Sequence, residues 1–243
     1  MLWIVQRWQI CDTQGQMKLQ TSGWRLFRRR ECIVPTLWGW IVFLLIAVVL
    51  AVLAVRGAYP FLAVSHPVQS NALVVEGWAS DYALRETIAE FRRDHYRKLY
   101  VTGVPLESGA PLSEYKTFAE LGAATLVRMG CDANAVQAVP APAVRADRTY
   151  ASAVALKNWF QQHDIAETNL NVVSIGPHSR RTRLLFAKAF GPEYKIGIIS
   201  ITSQTYNPRN WWHSSDGFRT VTGEAIAYAY ARLIFRPVPL DEK

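Results

Sequence analysis

Five short runs rich in valine and isoleucine, separated by stretches of helical spacing, constrain this chain more than any other feature. The runs cover 72–75, 98–102, 135–139, 170–175 and 196–201. They do not alternate with polar residues, as strands with one wet face would, so both faces should be covered. Between them, Leu84, Ile88 and Phe91 recur at helical intervals. Tyr115, Phe118, Gly122 and Met129 follow, stopped by Gly130, and then Val154, Leu156, Trp159 and Phe160. A fourth helix begins near His178, and a last one covers roughly 218–235. Strand–helix alternation of this kind predicts an α/β fold, a three-layer Rossmann-like parallel sheet of about five strands over 71–236. No internal repeat or low-complexity tract interrupts it.

Ahead of this domain lies a second constraint. From Ile33 to Val55 there is no charged residue, and 40–55 is almost wholly aliphatic. A helix needs about 20 such residues to cross the hydrocarbon core, and this span lacks the polar stripe of a surface helix. The expectation is a transmembrane helix over 35–56, preceded by a basic segment over 1–34. A tether over 57–70, containing Pro60 and Pro67, links it to the domain, and a short tail covers 237–243. Arg7, Lys18, Arg25, Arg28, Arg29 and Arg30 precede the span, whereas Arg56 is the one charge in the twenty residues that follow it. The positive-inside rule then puts the N-terminus in the cytoplasm and the domain outside, in the periplasm or beyond. A cleaved signal peptide would have a shorter apolar region, of about 7–15 residues, so an uncleaved single-pass anchor is expected. Met17, followed by Lys18 and the Arg28–Arg30 run, would make a more ordinary start than Met1.

The net charge of +8 does not argue for nucleic-acid binding. Seven of the 27 basic and two of the 19 acidic residues precede Gly57, which leaves 20 against 17 and a net of +3 in the rest. Cys11 and Cys32 lie before the apolar span and Cys131 alone after it, so no disulfide can form within the domain. Cys131 reads as a small packed side chain rather than a nucleophile.

Parallel sheets bind ligands beyond the carboxyl ends of their strands, so the strand–helix loops are where a site is expected. The first loop gives Glu76-Gly77-Trp78 and the second Thr102-Gly103. The third runs through Arg145 and Asp147 to Arg148-Thr149-Tyr150, and the fourth is Ser174-Ile175-Gly176-Pro177-His178 followed by Arg180, Arg181 and Arg183. A helix start already favours anions through its unpaired N–H groups, and guanidinium forks add to this. His178 lies one turn from Arg181, so both can face one ligand. Arginine neighbours would push that imidazole toward its neutral form. The alternative is that the arginines are solvated groups pairing with acids such as Glu193. Glu76 ends a buried strand and needs a partner, either a cation such as Arg148 or Arg181, a metal, or a ligand hydroxyl. Thr149 is placed to cap a helix or to hold an anion with Arg148, and Asp147 to cap. No GxGxxG or GK[ST] loop, no zinc-spaced His/Cys/Asp set and no G-x-S-x-G elbow is present. Trp211-Trp212-His213, ahead of Arg219, suits a pocket lid, a membrane-interface contact or plain packing.

The order of these features resembles the SanA/ElyC/YdcF-like family of bacterial envelope proteins. The carrying residues are a strand with Gly77, a helical Arg85, a second strand ending in Thr102-Gly103, Arg148-Thr149 with Ser152, and His178-x-x-Arg181. The resemblance extends from about Asn71 to Phe235. Glu76 and Trp78 depart from the family's glycine-rich first loop, and Ala151-Ser152 from its acidic-Asn pair. It implies a Rossmann-like sheet, an inner-membrane location and a role in the envelope barrier, in peptidoglycan or lipid-carrier metabolism. It brings no settled reaction and leaves the cofactor open.

These features lead to an anchored protein whose outer domain binds or processes an anionic envelope precursor, such as a lipid-linked phosphate. As an enzyme it would be a hydrolase or transferase. His178 and Glu76 are the catalytic candidates, and Arg148, Thr149, Arg181, Ser174 and Gly103 the anion-binding ones. Trp211, Trp212 and Arg219 are candidates for a lid or partner contact. The alternatives are a non-catalytic regulator that binds an envelope-synthesis protein, and a nucleotide or S-adenosylmethionine binder. The latter is suggested by another branch of the family, and the outward location weighs against it.

Overall fold

The computed structural model describes residues 36–93 and 96–237. The chain divides into a unit ending at Val48 and a larger one from Val49 onward. Of the first, the described part is helical. Helix α1 (Leu37–Leu62) runs through 26 residues, long and apolar enough to cross a membrane, and none of its most apolar window is buried. The segment 1–34, the Met17 start and residues 238–243 of the tail lie outside the described residues.

The larger unit is built on five parallel strands. They are β1 (Ala72–Glu76), β2 (Lys98–Gly103), β3 (Val136–Pro140), β4 (Asn169–Ile175) and β5 (Lys195–Ile201), within a residue or two of the aliphatic runs. The connecting helices are α2 (Asp81–Arg93), α3 (Phe118–Arg128), α4 (Arg148–Gln162) and α5 (His178–Phe190). A 3₁₀ segment (Pro208–His213) and α6 (Ser215–Leu233) follow β5. Alternate side chains of β1 show why the strands are apolar throughout. Ala72 and Val74 pack with Leu156, Phe160, Phe186 and Phe190 of α4 and α5, while Leu73 and Val75 pack with Leu84, Ile88 and Leu126 of α2 and α3. The spatial order is β3-β2-β1-β4-β5. The connections leaving β1 and β4 therefore diverge, and a crevice opens between the carboxyl ends of those two strands.

Two expectations about boundaries are corrected. Residues 57–70 are not a loose tether: α1 continues through Pro60 to Leu62, which is 1% exposed. A proline so near the helix end costs one hydrogen bond at most and does not stop the last turn. Beyond it, His66 and Ile198 exchange backbone hydrogen bonds as an antiparallel bridge on β5. Asn171, fully buried, bonds both the N–H and the C=O of Val68 through its amide. Gly197 makes room for it, because a Cβ there would lie 1.9 Å from Asn171 Oδ1. Helix α3 starts at Phe118 rather than near Tyr115. Thr117 caps it, accepting from Glu120 N, while the Glu120 carboxylate accepts from Thr117 N, a reciprocal capping box. Its first turn lies directly on the loops after β1 and β2. A Cβ on Gly77 would fall 2.0 Å from Phe118 O, and one on Gly103 2.7 Å from Ala119 N.

Candidate functional site

The crevice between β1 and β4 is a cavity of about 660 Å³, lined by Glu76, Trp78, Gly103, Arg148, Thr149, Ser152, His178, Arg181 and Glu224 among others. Four separate strand–helix loops and α6 contribute to it. Sequence order alone brings the loops here, since parallel strands deliver all their carboxyl ends to one edge.

His178 opens α5 and stands at the centre. Its Nδ1 lies 3.0 Å from Glu224 Oε1, and its Nε2 lies 3.3 Å from Glu76 Oε2. The first is a hydrogen bond. The second is a charge contact, and the buried Nε2 makes no hydrogen bond among the described residues. The edge of Trp78 closes over the ring, with centroids 5.3 Å apart. Arg181, one turn on, grips Glu224 in a fork: Nε to Oε2 at 2.8 Å and Nη2 to Oε1 at 2.9 Å. Arg181 Nη2 and His178 Nδ1 sit 3.0 Å apart because both donate to the same carboxylate oxygen.

Beneath the ring, Glu76 is 3% exposed. It accepts a hydrogen bond from Thr149 Oγ1 at 3.1 Å, and a longer one from Thr182 Oγ1 at 3.5 Å. Burial works against an ionised Glu76, but the His178 imidazolium beside it prevails, and its carboxyl titrates below the ordinary range. Burial likewise opposes charge on His178. The two carboxylates outweigh it, and the imidazole is pushed up to about 9. Glu224, also partly desolvated, is brought down to about 2 by its bonds to Arg181 and His178. At neutral pH the site is thus a cation between two anions. The expectation that arginines would hold His178 neutral is corrected, since the nearest guanidinium is itself neutralised by Glu224.

The structure brings most of the sequence candidates together, with exceptions. His178, Glu76, Thr149, Arg181, Arg148 and Gly103 all line the cavity. Ser174 does not: it is buried below the floor, 3.3 Å from Thr182 Oγ1, out of reach of a ligand. Arg148 is at the rim, paired with Glu107 and not with Glu76. Thr149 gives its hydroxyl to Glu76 and caps nothing. Asp147 occupies the N-cap position of α4 in the left-handed region, with φ of 57°, and makes no capping bond through its side chain. Arg85 is exposed on α2, away from the cavity. Arg180 stacks 4.0 Å above the ring of Phe61 and donates to its carbonyl, and Arg183 donates to Ile196 O at 3.0 Å, so neither serves the site.

The tryptophan loop is not a lid. Trp211 is 4% exposed and donates from Nε1 to Val55 O at 3.2 Å, and Trp212 packs beside it on the cluster of Leu62, Tyr206, Trp211 and Val221. Arg219 is exposed and bonds Asp216, one turn back. The residue that sequence reasoning missed is Glu224. It carries the lone charge in 220–231, an otherwise small and apolar stretch. An isolated carboxylate in such a stretch was the available signal. Among the described residues no group of three His, Cys, Asp or Glu side chains converges to hold a metal ion.

No family model matches the chain, nor does any curated protein or solved structure. The site therefore stands on its own geometry.

Proposed function

We propose that this is a single-pass inner-membrane protein whose α/β domain, outside the cytoplasm, binds and processes an anionic cell-envelope precursor bearing a phosphate or carboxylate. The supporting observation is His178 fixed between Glu224 and Glu76 at a cavity where two helices begin without a side-chain cap. Helices α4 and α5 both start at this wall, and neither Asp147 nor Pro177 makes a side-chain capping hydrogen bond, whereas α3 and α6 are capped by the side chains of Thr117 and Ser214. Uncapped N–H groups and partial positive charge attract an anion.

The built-in cations are largely matched: Arg181 by Glu224, and Arg148 by Glu107. The Glu107–Arg148 pair is exposed and therefore weak, worth under about 1 kcal/mol, so an anionic ligand can take Glu107's place. Exposed Arg145, also on the wall, makes no ion pair among the described residues. In this reading His178 is a general acid. A water or acceptor hydroxyl attacks the phosphoryl or acyl centre and releases its proton to solvent. The bond to the departing oxygen breaks, and that oxygen takes the His178 Nε2 proton while Glu224 holds the ring in place. The low titration of Glu76 suits it to orienting and balancing the imidazolium rather than to acting as a base. The chemistry would be that of a hydrolase or transferase. The features shared with the SanA/ElyC/YdcF-like family support an envelope role.

Titrating the full chain in detergent with inorganic phosphate and a simple phosphomonoester tests this. Saturable binding that falls at least tenfold in both Arg148→Ala and His178→Ala supports the reading. Binding unchanged in both variants refutes it.

A further inference from the structure

We propose that the corner made by the Pro208–His213 segment and the first turn of α6 rests in the headgroup layer of the bilayer that α1 crosses. This rests on the reading of α1 as a membrane span. Nineteen residues from Leu37 to Val55, at 1.5 Å each, make about 28 Å, close to the ~30 Å of a hydrocarbon core. Arg56 is the first charge after it. The carbonyl of Val55 therefore marks the boundary between acyl chains and headgroups.

The domain is bonded at that level. Trp211 Nε1 donates to Val55 O. Around Trp211 stand Trp212, with ring centroids 5.7 Å apart, and Phe218, at 6.2 Å. Phe218 is 55% exposed although it sits on the folded domain, and Trp212 is half-buried. Arg209 and Arg219 flank them, both exposed. Tryptophan, with its apolar body and polar N–H, favours the membrane interface, and arginine is drawn to anionic headgroups. The occupant is the lipid surface itself, because this patch continues the emerging turns of α1 with no intervening linker.

Topology adds a direction. After Leu62 the chain runs antiparallel to β5, with His66 paired to Ile198, before turning into β1. All five strands therefore point back toward the level at which α1 emerges. The turn after β4 meets α1 directly: a Cβ on Gly176 would lie 3.2 Å from the Tyr59 hydroxyl, and φ there is +47°. The carboxyl edge of the sheet, with its cavity, faces the bilayer.

The test is nitroxide labelling of the full chain, with its three native cysteines replaced, in nanodiscs of phosphatidylcholine and phosphatidylglycerol. Labels are placed singly by Phe218→Cys and Arg219→Cys, with Leu45→Cys inside the apolar helix and Ala166→Cys at the amino edge of the sheet as references. Labels at 218 and 219 should collide with an aqueous nickel chelate several-fold less often than the label at 166. Collision rates equal to that at 166, with the label at 45 shielded, overturn this inference and leave the span intact. A label at 45 fully open to the chelate overturns both.

Discussion

Glu224 and His178, 46 residues apart in sequence, share a 3.0 Å hydrogen bond at the imidazole Nδ1. That bond assigns the ring an orientation. With Nδ1–H committed to Glu224, Nε2 is the nitrogen directed at Glu76. The final helix thus supplies a partner that none of the strand–helix loops could.

Glu224→Gln should keep the shape of this contact and remove its charge. The titration of His178, followed by NMR of its ring protons, should move from about 9 back toward 6.5. A midpoint that stays near 9 would mean that Glu76 alone sets it.

Stability should depend on pH on both sides of a plateau. His178 titrates higher folded than unfolded, so its contribution is complete below about 6.5 and disappears as pH rises through about 9. Glu224 titrates lower folded, so its contribution is complete above 4.5 and disappears as pH falls toward about 2. Urea midpoints in detergent should be flat between those limits, and His178→Gln should flatten the alkaline arm.

Thr149→Val removes one of the few donors to a buried carboxylate. The loss should be about 1–3 kcal/mol, read from chemical denaturation, with weaker phosphate binding as a second effect.

Gly122→Ala should destabilise despite alanine's better helix propensity. The added Cβ would meet Gly77 Cα at 2.7 Å and Gly77 O at 3.0 Å, both backbone atoms that cannot swing aside. Overpacking of this sort costs about 1–3 kcal/mol. Equal or higher stability than wild type would show that α3 can shift without penalty.

Glu107→Gln separates binding from folding. The pair it breaks is exposed, so stability should change by less than about 1 kcal/mol. Phosphate affinity should rise several-fold, because Arg148 no longer has to be released.

Much of this architecture could be read from residues alone. Short apolar runs located every strand, most plainly where a strand is covered on both faces, as Leu73, Val74 and Val75 of β1 are. The rim of loops followed from parallel connectivity. What periodicity could not supply was the pairing of charges. Arg148 and Arg181 look alike in sequence, yet one faces Glu107 on an exposed loop and the other Glu224 on the last helix. Which acid reaches which base depends on contacts across 40 or so residues, and no local pattern encodes them. Nor could the helix end be placed, because Leu62 and Val64 are held by packing against the domain rather than by any stop signal.

The unbroken passage from α1 into the sheet has a mechanical meaning. A leash would let the head swivel freely, but here Leu62 is a core residue and 66–68 are stitched to β4 and β5. Trimming the chain at Asn71 to make a soluble fragment would pull out part of the hydrophobic interior and leave the β5 edge bare, so residues 62–70 fold with the sheet rather than apart from it.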